Sequence, residues 1–307
     1  MLLDTASLYF RAFHGVPDTV RSPDGLPVNA IRGLLDMIAR LVGEFEPTDL
    51  VACWDDDWRP QWRVDLIPSY KAHRVAEETA DGAIETVPDL LTPQVPVIRE
   101  ILELLGIPVI GAADHEADDV IGTLASHSRI PVDIITGDRD LFQLVDDSRG
   151  VRVIYTGRGM SNLELLTEPA LKTKYGITSR QYADFAVLRG DASDGLPGVA
   201  GVGEKTAVTL LTSFGDLDGI TAAAADPSST ISKAVRAKIL AAEKYLAVAP
   251  KVVEVVRTLE LPDYESRINP VAPDRVESID ALGKRWGLGT SLERARTALA
   301  AAAGASH

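Results

Sequence analysis

Five short runs rich in β-branched and other apolar residues mark the first half of the chain, and helix-length segments separate them: Met1–Leu3, Leu50–Trp54, Ile107–Ile110, Val132–Thr136 and Val151–Tyr155. This alternation predicts an α/β fold, a mainly parallel sheet flanked by helices. Between the runs, Asn29–Phe45 and Pro93–Leu105 space their apolar residues by three and four, as at Val97, Ile98, Ile101, Leu102 and Leu105, and read as amphipathic helices. Arg74–Leu91 is acidic and poor in apolar residues, with Gly82 and Pro88, and reads as a mobile excursion outside the core. Beyond Leu163 the pattern turns helical, through Pro169–Tyr175, Ser179–Arg189, Glu204–Phe214 and Ser232–Val248. Lys251–Leu261, with its four valines, reads as a returning strand, and Ala298–Ala303 as a helix fraying into the last four residues.

Carboxylates follow the apolar runs. Asp4 follows Leu3, Asp55 follows Trp54, Asp138 and Asp140 follow Thr136, and Glu116, Asp118 and Asp119 come soon after Ile110. In an open parallel sheet these places lie at the carboxyl edge of the strands, where such folds carry their sites. Singly, each has a plainer reading: acids at a helix start for Glu116–Asp119, a turn for Gly137–Asp140, solvated charges for Asp4 and Asp55. Their coincidence implies convergence. Gathered carboxylates raise one another's pKa and cannot all stay ionised without counter-charge. Hard oxygen ligands select Mg²⁺ or Mn²⁺, and this many acids suit two or more ions about 4 Å apart.

Gly190–Gly198 adds Asp191 and Asp194, three residues apart and so on one side of a helical turn. A calcium loop is excluded because its twelfth position is Val202 rather than Glu. Gly198–Thr206 approaches a phosphate-binding loop, but Glu204 interrupts it before Lys205-Thr206 and no buried strand precedes it. A helical hairpin accounts for it better, with Gly201 and Gly203 letting the backbone approach a phosphate while Lys205, Thr206 and the helix-start N–H groups add donors.

The net charge of −14 argues against a nucleic-acid partner. Setting aside the nine motif acids leaves 36 acids against 31 bases, so the rest of the surface is close to balanced. A single cysteine, Cys53, excludes an internal disulfide and reads as a buried strand thiol in a reducing compartment. No apolar run reaches the ~20 residues that span a bilayer, and the N-terminus lacks a secretory signal. A cytoplasmic protein with no membrane partner is expected.

In this order and spacing, Asp4, Trp54-Asp55, Tyr70-Lys71-Ala72-His73-Arg74, Glu116-Ala117-Asp118-Asp119, Thr136-Gly137-Asp138-Arg139-Asp140 and Gly190-Asp191-Ala192-Ser193-Asp194-Gly195 resemble the 5′ nuclease (flap endonuclease) family, which includes the N-terminal domain of bacterial DNA polymerase I. The resemblance runs from Met1 to about Leu261. It departs at Thr5, where the family has Gly. It implies a PIN-like nuclease core over residues 1–165 with a helical arch or clamp over residues 58–95. A helical part over 166–250 would carry a helix–three-turn–helix motif at 190–214, and 251–307 would be a strand and helices packing back.

It also implies two metal groups, Asp4, Asp55, Glu116, Asp118 and Asp119 in one and Asp138, Asp140, Asp191 and Asp194 in the other. Asp118, Asp138, Asp140, Lys71 and Arg74 would act in catalysis. Arg63, Tyr70, Lys71, Arg74, Gly201, Gly203, Lys205 and Thr206 would contact DNA, with Tyr70 stacking on an unpaired base. Backbone carbonyls of Gly198, Val199 and Val202 would hold K⁺. The implied activity is 5′-3′ exonuclease and 5′-flap endonuclease cleavage by two-metal-ion catalysis in replication and repair. Its substrate is DNA with flaps, nicks or free 5′ ends, RNA-primed ends included, handled by a monomer beside a separate polymerase and ligase. The competing classes are a non-catalytic branched-DNA binder and a P-loop nucleotide hydrolase.

Overall fold

The computed structural model describes residues 1–79 and 82–305, without the side chains at 78, 79 and 82. The strands are β1 (Leu2–Asp4), β2 (Val51–Cys53), β3 (Val75–Thr79), β4 (Gly82–Glu85), β5 (Val109–Ile110), β6 (Val132–Thr136), β7 (Val151–Tyr155) and β8 (Glu164–Leu166). Six of them form one sheet in the order β5-β2-β1-β6-β7-β8, parallel throughout except for the antiparallel β8. Successive residues of a strand point to opposite faces, so Leu2, Ile134 and Val153 enter one apolar core while Leu3, Ile135 and Ile154 enter the other. Burial on both faces explains why these runs are continuously apolar rather than alternating.

The helices are α1 (Thr5–Gly15), α2 (Asn29–Phe45), α3 (Gln61–Leu66), α4 (Gln94–Leu104), α5 (Ala117–His127), α6 (Glu168–Tyr175), α7 (Tyr182–Arg189), α8 (Glu204–Phe214), α9 (Leu217–Ala225), α10 (Lys233–Ala241), α11 (Glu243–Leu246), α12 (Ala249–Val253), α13 (Pro273–Trp286) and α14 (Gly289–Ala305). The core on one face of the sheet includes buried residues of α2, α4, α13 and α14, and that on the other includes α5, α7 and α8. None of the helices in the described residues is long and apolar enough to cross a membrane.

Several expectations need correction. Lys251–Leu261 is not a strand: α12 ends at Val253, and an irregular strap follows. Side chains take the donors a strand would need, with Val255, Val256 and Leu259 N–H groups bonding Gln143 Oε1, Asp119 Oδ1 and Thr123 Oγ1. The helix expected over Ser232–Val248 breaks at Ala242 (φ −94°, ψ 6°) into α10 and α11. Part of the expected excursion Arg74–Leu91 is an antiparallel hairpin, β3–β4, closed at its base by Thr86 N–H donating to the Arg74 carbonyl at 2.7 Å. Ala80 and Asp81 in that excursion, and Ser306 and His307 in the expected fray, lie outside the described residues. Gly304 and Ala305 are still helical.

Phe142 is fully buried where the sheet meets α7, edge-on to Tyr155 (5.2 Å) and Tyr182 (5.3 Å). Phe142→Ala should lower unfolding free energy by about 3–5 kcal/mol. Urea titration followed by tryptophan fluorescence measures it, and an unchanged midpoint would contradict this packing.

Candidate active site

β1 lies between β2 and β6, so the crossovers leave it in opposite directions and open a crevice at its carboxyl end. Asp4 ends β1, Asp55 lies two residues beyond β2, Asp138 two beyond β6, and Glu116 and Asp118 stand at the start of α5. All five line one cavity of about 230 Å³, together with Ser7, Trp58, Lys71, Arg74 and Glu85. Local bonds fix the acids. Asp4 caps α1 by accepting from Ser7 N–H and takes the Thr136 hydroxyl at 2.6 Å, which stitches β1 to β6. Asp55 accepts from Ala117 N–H at 2.8 Å, joining the end of β2 to α5. Asp138 receives Asp140 N–H, so the expected turn at Gly137–Asp140 also forms.

The electrostatics show a site short of positive charge. Burial, then the neighbouring Asp55 and Asp138, raise Asp4 to about 7 against the Thr136 bond. Burial raises Asp55 to about 6, with Glu116 and Asp119 adding to it and the Ala117 bond and Lys71 opposing. Asp118 is pushed well above the usual carboxylate range by burial and by Asp138, Asp4 and Glu116. Asp140 is raised by burial and by Asp138, Asp194 and Asp191, the other acids of the second group, and Asp138 in turn raises Asp4 and Asp118 of the first. Among the described residues no group of three or more His, Cys, Asp or Glu side chains stands close enough together to hold one metal ion.

The basic residues divide. Lys71 reaches Glu116 Oε2 at 2.6 Å, and Arg74 binds Asp194 Oδ1 at 3.0 Å and the Ser193 carbonyl at 2.7 Å. Both line the cavity. Arg63, expected to contact DNA, is instead 2% exposed and forks onto Asp119 at 2.9 and 2.7 Å. Tyr70, expected to stack on a base, is 4% exposed and donates to Glu116. Both are corrections with one cause: an arginine and a tyrosine beside buried carboxylates are drawn in as counter-charge and donor. Asp119 is correspondingly saturated by Arg63 and the N–H groups of Glu116 and Val256, and does not line the cavity.

Asp191 caps the turn Ala192–Asp194 and pairs with Arg189, while Asp194 faces Arg74. Gly195 (φ +69°) lets this loop meet the turn at Ser69–Lys71, because a Cβ there would stand 2.0 Å from the Ser69 carbonyl. Lys71 N–H then donates to the Asp194 carbonyl at 2.9 Å. Gly201, Gly203 and Lys205 are exposed at the start of α8, Thr206 is half-buried, and space is open around Gly203. The Val199 carbonyl accepts from Val202 N–H, and that of Gly201 from Lys238 Nζ at 2.7 Å.

Sequence reading missed Ser7, Trp58 and Glu85. Ser7 sits on α1, which the apolar runs did not announce, and Glu85 in a segment read as outside the core. A larger groove, about 890 Å³, is elsewhere, lined by Arg149, Arg180 and Arg257 among others, and gathers none of the candidate residues.

A parallel sheet with convergent acids and two cationic side chains at its switch point defines a hydrolase site for a phosphate ester. The description "5′-3′ exonuclease, N-terminal resolvase-like domain" matches residues 1–176, and "5′-3′ exonuclease, C-terminal SAM fold" matches 177–275. The 5′-3′ exonuclease of Streptomyces coelicolor is 59% identical over 98% of this chain and 100% of its own length. That of Mycobacterium tuberculosis is 48% identical over 97% of each. In fold, the bacteriophage T5 flap endonuclease, solved as a pseudo-enzyme–product complex with DNA and metal ions, is similar with a TM-score of 0.63 at 16% identity, over 99% of this chain and 98% of that one. The chain belongs to the 5′-3′ exonuclease family, nucleases that hydrolyse phosphodiester bonds.

Because Asp4 titrates higher folded than in an unfolded chain, its contribution to stability is greatest at low pH and is lost as pH rises through about 7. In chelator, the melting temperature should therefore be higher at pH 6 than at pH 8, and Asp4→Asn should narrow the gap. Calorimetry showing the reverse order would refute the burial of these charges.

Proposed function

We propose that this protein is a structure-specific 5′ nuclease cutting 5′ flaps and free 5′ ends of DNA, with Mg²⁺ or Mn²⁺ held by Asp4, Asp55, Glu116, Asp118 and Asp138 and, beside them, Asp140, Asp191 and Asp194. One observation carries the reading: five carboxylates from four separate segments share a small cavity with Lys71 and Arg74. The donor set fits hard divalent ions, being all oxygen and deficient in counter-charge, and an open arrangement suits ions that keep several waters. Such ions supply counter-charge on the phosphate and ease ionisation of a water. Asp119 is reassigned from ligand to support, since its oxygens are already committed to Arg63 and backbone N–H groups.

The chain's own residues do the positioning. Lys71 has a left-handed backbone (φ 48°), which turns its N–H to Asp194 while its side chain meets Glu116. A non-glycine residue held so stores on the order of 1–3 kcal/mol, an expenditure typical of functional positions. Lys71 and Arg74 offset charge on the scissile phosphate. Arg63, 3.3 Å from Glu116 as well as forked onto Asp119, orients Glu116 and takes no part in DNA contact. Gly201, Gly203 and Lys205, with the half-buried Thr206, form the duplex-phosphate surface, joined by Lys233, Arg236 and Lys238 on α10, and the carbonyls of Gly198, Val199 and Val202 offer a monovalent-cation site. The unit up to about residue 165 acts as the nuclease core and 166–250 as the duplex holder, with a monomer working beside a separate polymerase and ligase.

Asp138→Asn should reduce cleavage of a 5′-flap duplex by at least about a hundredfold while flap binding in Ca²⁺ survives; EDTA should abolish wild-type cleavage. Sizing labelled products by gel tests both, and full activity of the variant in Mg²⁺ would refute the assignment. Lys71→Ala should slow the single-turnover rate about a hundredfold or more with a much smaller change in binding. A rate equal to wild type would remove Lys71 from the chemistry.

A further inference from the structure

The cavity has one acidic wall that the metal-binding reading does not use. Glu85 closes the β3–β4 hairpin, pairing with Val75 across it, and its carboxylate lines the same cavity as Lys71 and Arg74. The hairpin is held in place from both sides: Thr86 N–H bonds the Arg74 carbonyl, and the Trp58 indole donates to the Ala83 carbonyl at 2.9 Å. Among the described residues the Glu85 side chain takes part in no hydrogen bond or ion pair, although the residue is half-buried. Burial raises its pKa, Arg74 is its foremost stabilising neighbour, and Asp55 and Glu116 repel it. From Val75 to Leu91 the chain carries no Lys or Arg to neutralise this wall.

We infer that Glu85 is a specificity residue that disfavours substrates carrying a 5′-terminal phosphomonoester close to the scissile position, relative to the same ends carrying a 5′-hydroxyl. The reasoning rests on the nuclease reading above. A scissile diester held by Lys71 and Arg74 brings one negative charge into the cavity. When cleavage is near the end of the strand, a terminal monoester lies only one or two nucleotides from the scissile diester, within reach of a cavity that Glu85 also lines, and adds about −1.5 to −2 more charge at neutral pH. A fixed carboxylate beside Arg74 opposes that charge in a partly desolvated wall, where Coulomb interactions are several-fold stronger than in bulk water. A long flap places its terminal phosphate far from the wall, beyond a Debye length of about 8 Å at physiological salt, so the preference belongs to short ends alone.

The test uses the full chain with Mg²⁺ on matched duplexes whose recessed 5′ end carries either a hydroxyl or a phosphate, and reads the ratio of kcat/KM for the two. Wild type should favour the hydroxyl end by about tenfold. Glu85→Gln, nearly isosteric and uncharged, should bring the ratio toward one, and Glu85→Asp should keep most of it. On a long 5′ flap the ratio should be near one for all three. Equal ratios in wild type and Glu85→Gln would overturn this inference while leaving the nuclease reading intact. Absence of product from every substrate would overturn the nuclease reading, and this inference with it.

Discussion

The repulsion among carboxylates at the carboxyl edge of the sheet is the constraint around which the structure is arranged. Burying Asp4, Asp55 and Asp118 together raises all three above the ordinary range, a cost the fold offsets with directed donors from Thr136, Ser7 and Ala117 and with Lys71 nearby. Such donors stabilise a carboxylate without neutralising it. What remains is a site of fixed geometry with a deficit of positive charge, and that deficit is what selects for cations.

A second set of contacts ties distant segments to this edge. The turn at Ser69–Lys71 docks on the Asp191–Gly195 loop through Lys71 N–H and the Ser69 hydroxyl. Arg63 links α3 to α5 through Asp119, and to α12 through the Val252 carbonyl, while the strap after α12 donates Val256 N–H to the same Asp119. Buried pairs of this kind contribute little net stability, since desolvation opposes the Coulomb term. Their value here is geometric: Glu116 is held between Arg63, Tyr70 and Lys71, in one place.

Where sequence reading went astray, a tertiary partner outweighed a local signal. The valines after Lys251 have strand propensity, but Gln143, Asp119 and Thr123 capture their neighbouring N–H groups before another strand can. Tyr70 sits in the same motif as Lys71 and Arg74, and Arg63 lies seven residues before it. Only their contacts with Asp119 and Glu116 at the start of α5 draw these two inward, while Lys71 and Arg74 line the cavity. Glu85 was illegible because its importance depends on a hairpin that folds back over the sheet edge, which no spacing in an acidic, apolar-poor segment announces.

The amino-acid sequence by itself determined the parallel sheet, since continuous apolar runs separated by helix-length segments have few other ways to bury both faces. It determined too that the acids stand at strand ends, because strand ends and acids are neighbours along the chain. Only the tertiary structure decided which of those acids share the cavity and which are consumed by arginine, as Asp119 is. It alone decided which bases face the cavity and that a hairpin glutamate lines it. These depend on contacts between residues tens to over a hundred positions apart, whose outcome is set by competition for the same few donors and charges in a confined space.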